Sequence, residues 1–454
     1  MRKSTVIYLA LFALVLCGVS CSNDDDNSAT SSKSPYAYVK SFSIGNIKSP
    51  FHDFTVDGRD TIVEKVVSGD EFVFVVDNKT REVYNADSLT YGTKVNKVVA
   101  TLSCVGVPYR YDANLGSYVY FSSTDSIDFT SPVNVRIMST DDTYQVDYTV
   151  KVNVHSVDPD LMVWSRFPNA ALADIVPVKM FEKGGELYLF CTDAAGAPLV
   201  GVTASAGTPE WNFTAISAPE SFDLASLQLF GEKFYMLASG DVYVSNDAVV
   251  WSVASEGNGF VSLFAISGNG EKMWASTAGE LYSTADGVAF ESVSTIPTGF
   301  PIYGCSYTNS SLSTNASINR TMLVGYADAE KQGAVKVWSM LSNSGEWYEY
   351  EFGDDKNICP SFERLVVLGY DGAMFAIGGS AVVGEKTLLP FEKFYISRDN
   401  GVVWKACTDY ALSLPVELKG CDVPFAAMVS QDDYMWIVTP ENAWRGKINR
   451  LGFK

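Results

Sequence analysis

Side chains that could act as acid or base catalysts are scarce in this sequence. Its 454 residues include only two histidines, His52 and His155, and both precede residue 158. The long C-terminal part therefore offers no imidazole for a Ser-His-Asp triad, a general base or a metal site. No GxSxG, HExxH, phosphate-cradling glycine loop or EF-hand pattern is present. The sequence predicts no catalytic residue, no metal and no cofactor.

Aromatic and acidic side chains in predicted loops are the remaining candidates for a binding site. Aromatic rings stack on sugar rings and carboxylates accept hydrogen bonds from hydroxyl groups, so together they suit a glycan. We predict ligand binding at Phe300, Tyr303, Asp354, Asp355, Lys356 and Tyr410. Each aromatic could instead pack the edge of a sheet. Paired carboxylates such as Asp354 and Asp355 could also hydrolyse a glycoside, which keeps a hydrolase or lyase as an alternative.

The elements that position these residues are repeated between about residues 160 and 454. One repeat has an apolar strand, a turn, a strand that ends in a Ser/Asp/Gly turn, and a strand that opens with Trp. The segment 394–404 (FYISRDNGVVW) matches the Asp-box pattern S-x-D-x-G-x-x-W at every position. Weaker copies lie at 242–251, 281–290, 337–347 and 207–211.

Each residue type in the Asp box has a structural use. The Asp accepts backbone N–H groups as in an Asx-turn, and the Gly adopts a positive φ without steric cost. The aromatic residue that opens the next strand buries a large area over the turn. We therefore interpret the motif as a folding device rather than a ligand site.

Six apolar strands precede these turns. They lie at 186–190, 233–237, 272–275, 321–324, 373–377 and 434–438. This count predicts a propeller of six four-stranded blades over residues 158–454. The sixth repeat lacks a fourth strand, and the Trp-led segment 162–167 is available to supply it. We expect the propeller to be closed by pairing of this first strand with the last blade. Five blades with a separate cap, or seven blades, are the alternatives.

One face of such a propeller collects the loops that enter the innermost strands and those between the second and third strands. The longest of these loops are 353–363, 379–390 and 410–424. The ligand site is expected on this face. The Ser/Asn-rich stretch 306–319 is predicted as an exposed loop on the opposite face.

Residues 36–157 are predicted to form a separate β-domain. Short strands of alternating polarity are separated by turn residues, and no stretch has a helical period. The segment 133–154 is predicted as a hairpin. The number and spacing of the strands suggest an Ig-like β-sandwich that acts as a spacer. Another small sandwich or barrel is the alternative.

The N-terminus has the features of an export signal. Two basic residues precede the apolar run 6–16, which is too short to span a bilayer, and small residues at 18–20 precede Cys21. This pattern resembles a bacterial lipobox, which implies a signal peptide over 1–20 and lipidation of Cys21. Residues 21–35 resemble the acidic tether of Bacteroides-type lipoproteins, which implies an outer-membrane protein that faces the cell exterior. A plain secretory signal or a short membrane anchor is the alternative.

The net charge of −20 limits the partners. No cluster of Lys and Arg offsets it, so nucleic acid is excluded as a partner and anionic ligands in general are disfavoured. The cysteines form no CxxC pair, and one disulfide among Cys359, Cys407 and Cys421 is left open.

Together, these features resemble a family of Bacteroides-type surface lipoproteins with an Ig-like N-terminal module and a C-terminal six-bladed, Asp-box-like propeller. The resemblance implies an architecture but no activity. Sialidases also carry Asp boxes, but their three convergent arginines are not apparent here, since Arg398 lies inside an Asp-box turn. We expect a non-catalytic module that binds glycan or protein through the propeller face. A structural subunit of an outer-membrane complex is a further alternative.

Overall fold

The computed structural model describes residues 33–54, 60–217, 219–268, 271–331, 333–350, 357–383, 386–409 and 411–452. Within them, the chain is all-β, with short 3₁₀ turns at Gly69–Glu71, Ala170–Leu172, Val416–Leu418 and Asn449–Gly452 and no α-helix. No helical segment of this part has the length and apolarity needed to cross a membrane. Two compact units are present, the first comprising 33–47, 67–89 and 94–153 and the second 48–66, 90–93 and the residues from 154 onward.

Eleven strands precede residue 154. They are β1 (Tyr38–Ile44), β2 (Ile47–Phe54), β3 (Asp60–Val67), β4 (Phe74–Asp77), β5 (Glu82–Asn85), β6 (Val98–Val105), β7 (Val107–Asp112), β8 (Ser117–Tyr120), β9 (Ser126–Ile127), β10 (Val133–Met138) and β11 (Gln145–Lys151). Strands β2 and β3 pair only with each other. The other nine form a three-stranded sheet, β1-β6-β9, and a six-stranded sheet, β4-β5-β11-β10-β7-β8.

The core of the first unit lies between these two sheets. Alternation along β10 buries Val135 and Ile137, as expected for a strand with one face on a core. Phe42 of β1 packs edge-on against Phe74 of β4, with ring centroids 4.9 Å apart. The hairpin predicted at 133–154 is confirmed, because β10 pairs antiparallel with β11 from Val133↔Val150 to Met138↔Gln145.

The second unit contains six four-stranded sheets. The first strand after residue 154, β12 (Met162–Pro168), belongs to sheet 6. Sheet 1 is β13 (Ile175–Lys183), β14 (Glu186–Asp193), β15 (Pro198–Ala204) and β16 (Asn212–Ala215). Sheet 2 is β17 (Phe222–Phe230), β18 (Lys233–Ala238), β19 (Asp241–Ser245) and β20 (Ser252–Ser255). Sheet 3 is β21 (Ser262–Ser267), β22 (Lys272–Ser276), β23 (Glu280–Thr284) and β24 (Glu291–Thr295).

The remaining sheets have the same order. Sheet 4 is β25 (Tyr303–Leu312), β26 (Asn315–Tyr326), β27 (Lys336–Leu341) and β28 (Trp347–Glu349). Sheet 5 is β29 (Val366–Tyr370), β30 (Ala373–Ile377), β33 (Tyr395–Ser397) and β34 (Lys405–Ala406), with an inserted hairpin of β31 (Ala381–Val383) and β32 (Lys386–Leu388). Sheet 6 is β35 (Ala426–Val429), β36 (Met435–Thr439), β37 (Asn442–Ile448) and β12.

The first strands of the six sheets, called here the inner strands, follow one another around a cycle. They are in contact in the order β13, β17, β21, β25, β29, β35 and back to β13. Each sheet is open, and none is closed on itself. The second strands, such as β30 and β36, are buried along their whole length, whereas the outer strand β24 is exposed throughout. Hydrophobic cores therefore lie between neighbouring sheets, and the six strands expected at 186–438 all occupy the second position.

The segment around Trp164 supplies the outer strand of sheet 6. Strand β12 pairs antiparallel with β37 from Met162↔Ile448 to Pro168↔Asn442, as the sequence predicted for this segment. Trp164 lies opposite Gly446, and its indole N–H donates to the Ser413 carbonyl over 2.7 Å. Because Gly446 has no side chain, the indole ring lies flat over its backbone.

The Asp-box turns have the predicted structural role. The Asp247 carboxylate accepts the N–H groups of Val249 and Val250, both over 2.9 Å. These hydrogen bonds lower the pKa of Asp247. In the full motif, the Trp404 indole N–H donates to the Gly401 carbonyl over 3.0 Å. The polar atoms of the motif form hydrogen bonds within the turn itself, and these bonds stabilise the turn.

Two loop predictions are wrong. The stretch 306–319 is not a loop, because β25 and β26 continue as a ladder to Ser311↔Asn319. Its polar side chains sustain the hairpin, since the Thr321 hydroxyl donates to Asn309 Oδ1 over 2.7 Å. The predicted loop 379–390 contains the β31–β32 hairpin.

The contact between Trp164 and Gly446 generates a stability prediction. A methyl group at Gly446 would lie 2.6 Å from the Trp164 ring, so Gly446→Ala should lower the free energy of unfolding by about 1 to 3 kcal/mol in chemical denaturation. Gly279→Ala is the control, because no heavy atom lies within 4 Å of the corresponding position. In a Trp164→Ala background the cost of Gly446→Ala should shrink. An equal cost in both backgrounds would contradict the packing of β12 on β37.

Candidate functional site

A central cavity of about 550 Å³ is enclosed by the six inner strands. Apart from Lys331, its lining comes from the first half of each inner strand or from the residues just before it, within 176–180, 223–226, 261–263, 302–307, 364–368 and 424–427. The cavity therefore opens where the inner strands begin, which is the face selected from the sequence. Its volume is within the range of small-molecule sites.

Irregular backbone surrounds this cavity. Four of the inner strands shift register near their beginnings, between Pro177 and Lys179, Asp223 and Gln228, Leu263 and Ala265, and Tyr303 and Ser306. A bulge releases backbone groups from the ladder and turns side chains to a new direction. Repeated at one level of the ring, the bulges expose carbonyl groups and redirect side chains at the cavity.

Lys179 uses the carbonyl groups that one bulge releases. Its ammonium group donates to the carbonyl of Leu227 over 2.6 Å and to that of Ala225 over 3.3 Å, both on β17. Removal of water lowers the pKa of Lys179 to about 8, and the nearby Asp223 carboxylate opposes this shift. Lys179 therefore joins two sheets and places a titratable cation in the cavity wall.

Other polar side chains join the inner strands in the same way. Gln228 of β17 donates from Nε2 to the Leu263 carbonyl over 3.0 Å, within the bulge of β21. Asn309 of β25 donates from Nδ2 to the Ile266 carbonyl over 2.9 Å. These contacts supply partners for buried carbonyl groups that would otherwise be costly to leave unpaired.

The charged lining of the cavity is mainly cationic. Lys331 reaches it from the segment between β26 and β27, and its side chain passes over Gly304, whose φ is +55°. Arg364 lies just before β29 and forms an ion pair with Asp422. With Lys179, the described lining holds three cationic side chains and one carboxylate, that of Asp223, a net charge of +2.

The thiol group in the lining is not activated. Burial raises the pKa of Cys305 to about 12, so the thiol is protonated at neutral pH and is a poor nucleophile. No disulfide joins any of the six cysteines in the described part of the chain, so Cys359, Cys407 and Cys421 are not paired with one another. Burial also raises the pKa of Cys359. These thiols act as small apolar side chains.

The predicted ligand residues have different outcomes. Tyr303 lies in the cavity lining and is half-buried. The prediction for Phe300 is wrong, because its ring is 1% exposed and packs against Phe264, Trp338 and Trp347 with centroids 4.9–5.6 Å apart. The residues outside the described part of the chain are Cys21, Asp354, Asp355, Lys356 and Tyr410.

Sequence reasoning missed Lys179 and Arg364. Lys179 stands in an otherwise apolar strand start, IVPVK, where strict alternation does not reveal which way its side chain points after a bulge. Its single charge among apolar residues was the available signal. Arg364 lies two residues before the inner strand β29. Residues at such positions were expected on the binding face, so this expectation could have identified Arg364 as a candidate.

Family comparisons agree with the domain architecture. A family model described as the DUF6242 beta propeller domain matches residues 158–454, and one described as the DUF6242 N-terminal domain, a domain of unknown function, matches residues 42–152. No curated protein matches the chain.

Several solved structures are similar to this chain at low sequence identity. A streptogramin B lyase structure is 9% identical over 64% of this chain and 98% of its own, with a TM-score of 0.35. An alpha-L-arabinanase of Penicillium chrysogenum complexed with arabinobiose is 13% identical over 64% and 98%, with a TM-score of 0.37. The GH93 alpha-L-arabinofuranosidase of Fusarium graminearum is 14% identical over 64% and 98%, with a TM-score of 0.36.

The enclosure of Lys179 generates a titration prediction. In an NMR titration of lysine side chains, a signal that disappears in Lys179→Arg should titrate at about pH 8. The pKa of lysine in the unfolded chain is about 10.4, so between about pH 8 and 10.4 the unfolded state binds more protons at this residue than the folded state does. Lys179 should therefore make the free energy of unfolding rise with pH in this range. Lys179→Met should remove that contribution to the slope. A Lys179 signal that is unchanged between pH 7 and 9 would contradict the burial of its ammonium group.

Proposed function

We propose that this chain, which belongs to the DUF6242 family, is a non-catalytic binding protein whose central cavity binds a glycan. The family assigns no activity, so the proposal is based on the geometry of the propeller. The observation that carries the proposal is the open cavity of about 550 Å³, lined by all six inner strands. Tyr303 is a half-buried aromatic residue of the lining that also packs against two neighbouring hydrophobic cores, and the charged groups around it suit sugar hydroxyls.

Binding is favoured over hydrolysis by the acidic groups of the cavity. Glycoside hydrolysis uses two carboxyl groups across the scissile bond, and among the described lining residues Asp223 is the one carboxylate. Asp223 accepts the Ala225 N–H over 2.9 Å within the bulge of β17. A hydrolase or lyase that uses Asp354 and Asp355 remains the alternative.

The same proposal includes the remaining architecture. The first unit is inferred to be an Ig-like spacer, supported by its two packed sheets and by the parallel pairing of β5 with β11 beside the β10–β11 hairpin. The six sheets are inferred to be blades of one ring, which the β12–β37 pairing holds closed. Lipidation of Cys21 would attach the protein to the outer membrane with the propeller facing outward. A structural subunit of an outer-membrane complex is the other non-catalytic alternative, tested by co-purification.

Glycan binding can be tested with one aromatic residue and a matched control. Calorimetry with a panel of oligosaccharides should detect a ligand whose dissociation constant rises about two- to tenfold in Tyr303→Ala, because loss of a ring contact costs about 0.5 to 1.5 kcal/mol. Tyr348→Ala is the control, since this tyrosine is 55% exposed on the outer strand β28.

The outcomes of this test separate binding from catalysis. Binding that is unchanged in Tyr303→Ala would move the site away from the cavity. Product formation from any oligosaccharide of the panel, lost in Asp354→Ala, would replace the binding proposal with the hydrolase or lyase alternative. Absence of binding to the whole panel would contradict the glycan proposal.

The lipid anchor is tested separately. Cells that express the full chain and are fed a labelled fatty acid should label the protein, and Cys21→Ala should abolish the label. Cys17→Ala is the matched control and should retain it. External protease should degrade the wild-type protein on intact cells. A labelled protein that is protected from protease would retain the anchor and contradict the outward orientation.

A further inference from the structure

We infer that the central cavity selects an anionic sugar, whose acidic group is bound by Lys179, Lys331 and Arg364. The inference rests on the proposed function, because it concerns the ligand of the same cavity. Lys179 lies on β13, Lys331 lies in the segment before β27, and Arg364 lies two residues before β29. The three residues are therefore far apart in the sequence. Only the ring of sheets brings them to one cavity.

The hydrogen-bonding capacity of these groups is not exhausted. A lysine ammonium group has three donors, and Lys179 uses two of them on the carbonyl groups of β17. The Arg364 guanidinium has five N–H donors, of which the ion pair with Asp422 uses only part. Lys179 is held by the paired backbone of β13, so its ammonium group can bind a carboxylate or sulfate without the cost of ordering a flexible loop.

Space for the third cation is provided by a glycine. The Lys331 side chain lies so close to Gly304 that a methyl group there would be 3.1 Å from Lys331 Cε. Gly304 belongs to the bulge of β25, where its φ of +55° disfavours other residues. The bulge and the lysine therefore fit each other at the cavity wall.

The sign of the charge is opposite to that of the whole chain. The chain carries −20, whereas the described lining carries +2, or +1 when the Asp422 carboxylate that pairs with Arg364 is included. Surface carboxylates repel an anion only within a screening length of about 8 Å at physiological ionic strength. The charge of the half-buried Lys179 acts over a lower effective dielectric and is screened less than the exposed charges of Lys331 and Arg364. The overall charge therefore disfavours anions on the outer surface but does not exclude them from the cavity.

The first test compares acidic and neutral sugars on the full chain. Calorimetry would use a galacturonic acid trisaccharide, a sulfated galactose trisaccharide and the unmodified galactose trisaccharide as probes. At least one acidic probe should bind about tenfold or more tightly than the neutral one, and added salt should reduce that difference. Equal affinities would overturn the anionic inference and leave the glycan proposal standing. If none of the three trisaccharides binds, the anionic inference is overturned. The glycan proposal is then tested by the binding measurements on the larger oligosaccharide panel.

The second test assigns the selectivity to the cavity. Lys331→Gln should weaken binding of the acidic probe about tenfold and binding of the neutral probe by a clearly smaller factor. Lys233→Gln makes the same change of charge at an exposed position beyond the far end of β17 and should alter neither. Lys179→Gln should act like Lys331→Gln, with thermal unfolding used to confirm that the variant is folded. Acidic binding that survives both cavity variants would overturn the assignment.

The pH dependence provides an independent measurement. Lys179 faces the carbonyl groups of Ala225 and Leu227 and the side chains of Asp223 and Cys305, while Lys331 and Arg364 share the cavity. Because the pKa of Lys179 is about 8, affinity for the acidic probe should fall between pH 7 and 9. This fall should disappear in Lys179→Arg, which retains its charge over that range. A pH-independent affinity in the wild-type protein would overturn the role of Lys179.

Discussion

Side-chain hydrogen bonds between inner strands are the interaction on which the second unit depends. Neighbouring sheets meet through their faces, so no backbone ladder joins one inner strand to the next. The bulges leave carbonyl groups of these strands without ladder partners, and such groups are expensive to bury. Lys179 and Gln228 donate to such carbonyl groups in the bulges of β17 and β21, and Asn309 donates to the Ile266 carbonyl beyond the bulge of β21. These contacts cross the boundaries between sheets 1 to 4. The same contacts stabilise the ring and fix the width of its central cavity.

The position of Lys179 between two sheets both forms the hydrogen bonds to β17 and lowers the pKa of its ammonium group, and the two effects have the same cause. Its ammonium group must be partly dehydrated to reach the β17 carbonyls, and dehydration lowers its pKa toward the physiological range. A neutral amide at this position would donate the same bonds without a charge, as Gln228 does one sheet further on. The lysine therefore adds a charge that the connection itself does not require.

The sequence predicted the repeated elements well because their signals are local. Trp404 and the Asp-box turn before it determine one hairpin, and the apolar run Met435–Thr439 determines one buried strand. The position of Trp164 followed from the strand missing in the last repeat. The site was less predictable, since Phe300 and Tyr303 are three residues apart and only the folded backbone decides which ring enters the core. A bulge also removes the simple alternation by which a strand residue can be assigned to a face.

The location of the cavity on strands rather than on long loops bears on how it would recognise a ligand. Side chains held by a paired backbone lose little conformational freedom on binding, so a small number of contacts can give selectivity. The bulges decide which side chains enter the cavity, and each is a short local change within an otherwise regular sheet. Neighbouring sheets can therefore keep the same core while their inner strands present different chemistry, as β13 presents Lys179 and β25 presents Tyr303. Specificity in this architecture is set by the register of the inner strands together with the connecting segments that carry Lys331 and Arg364.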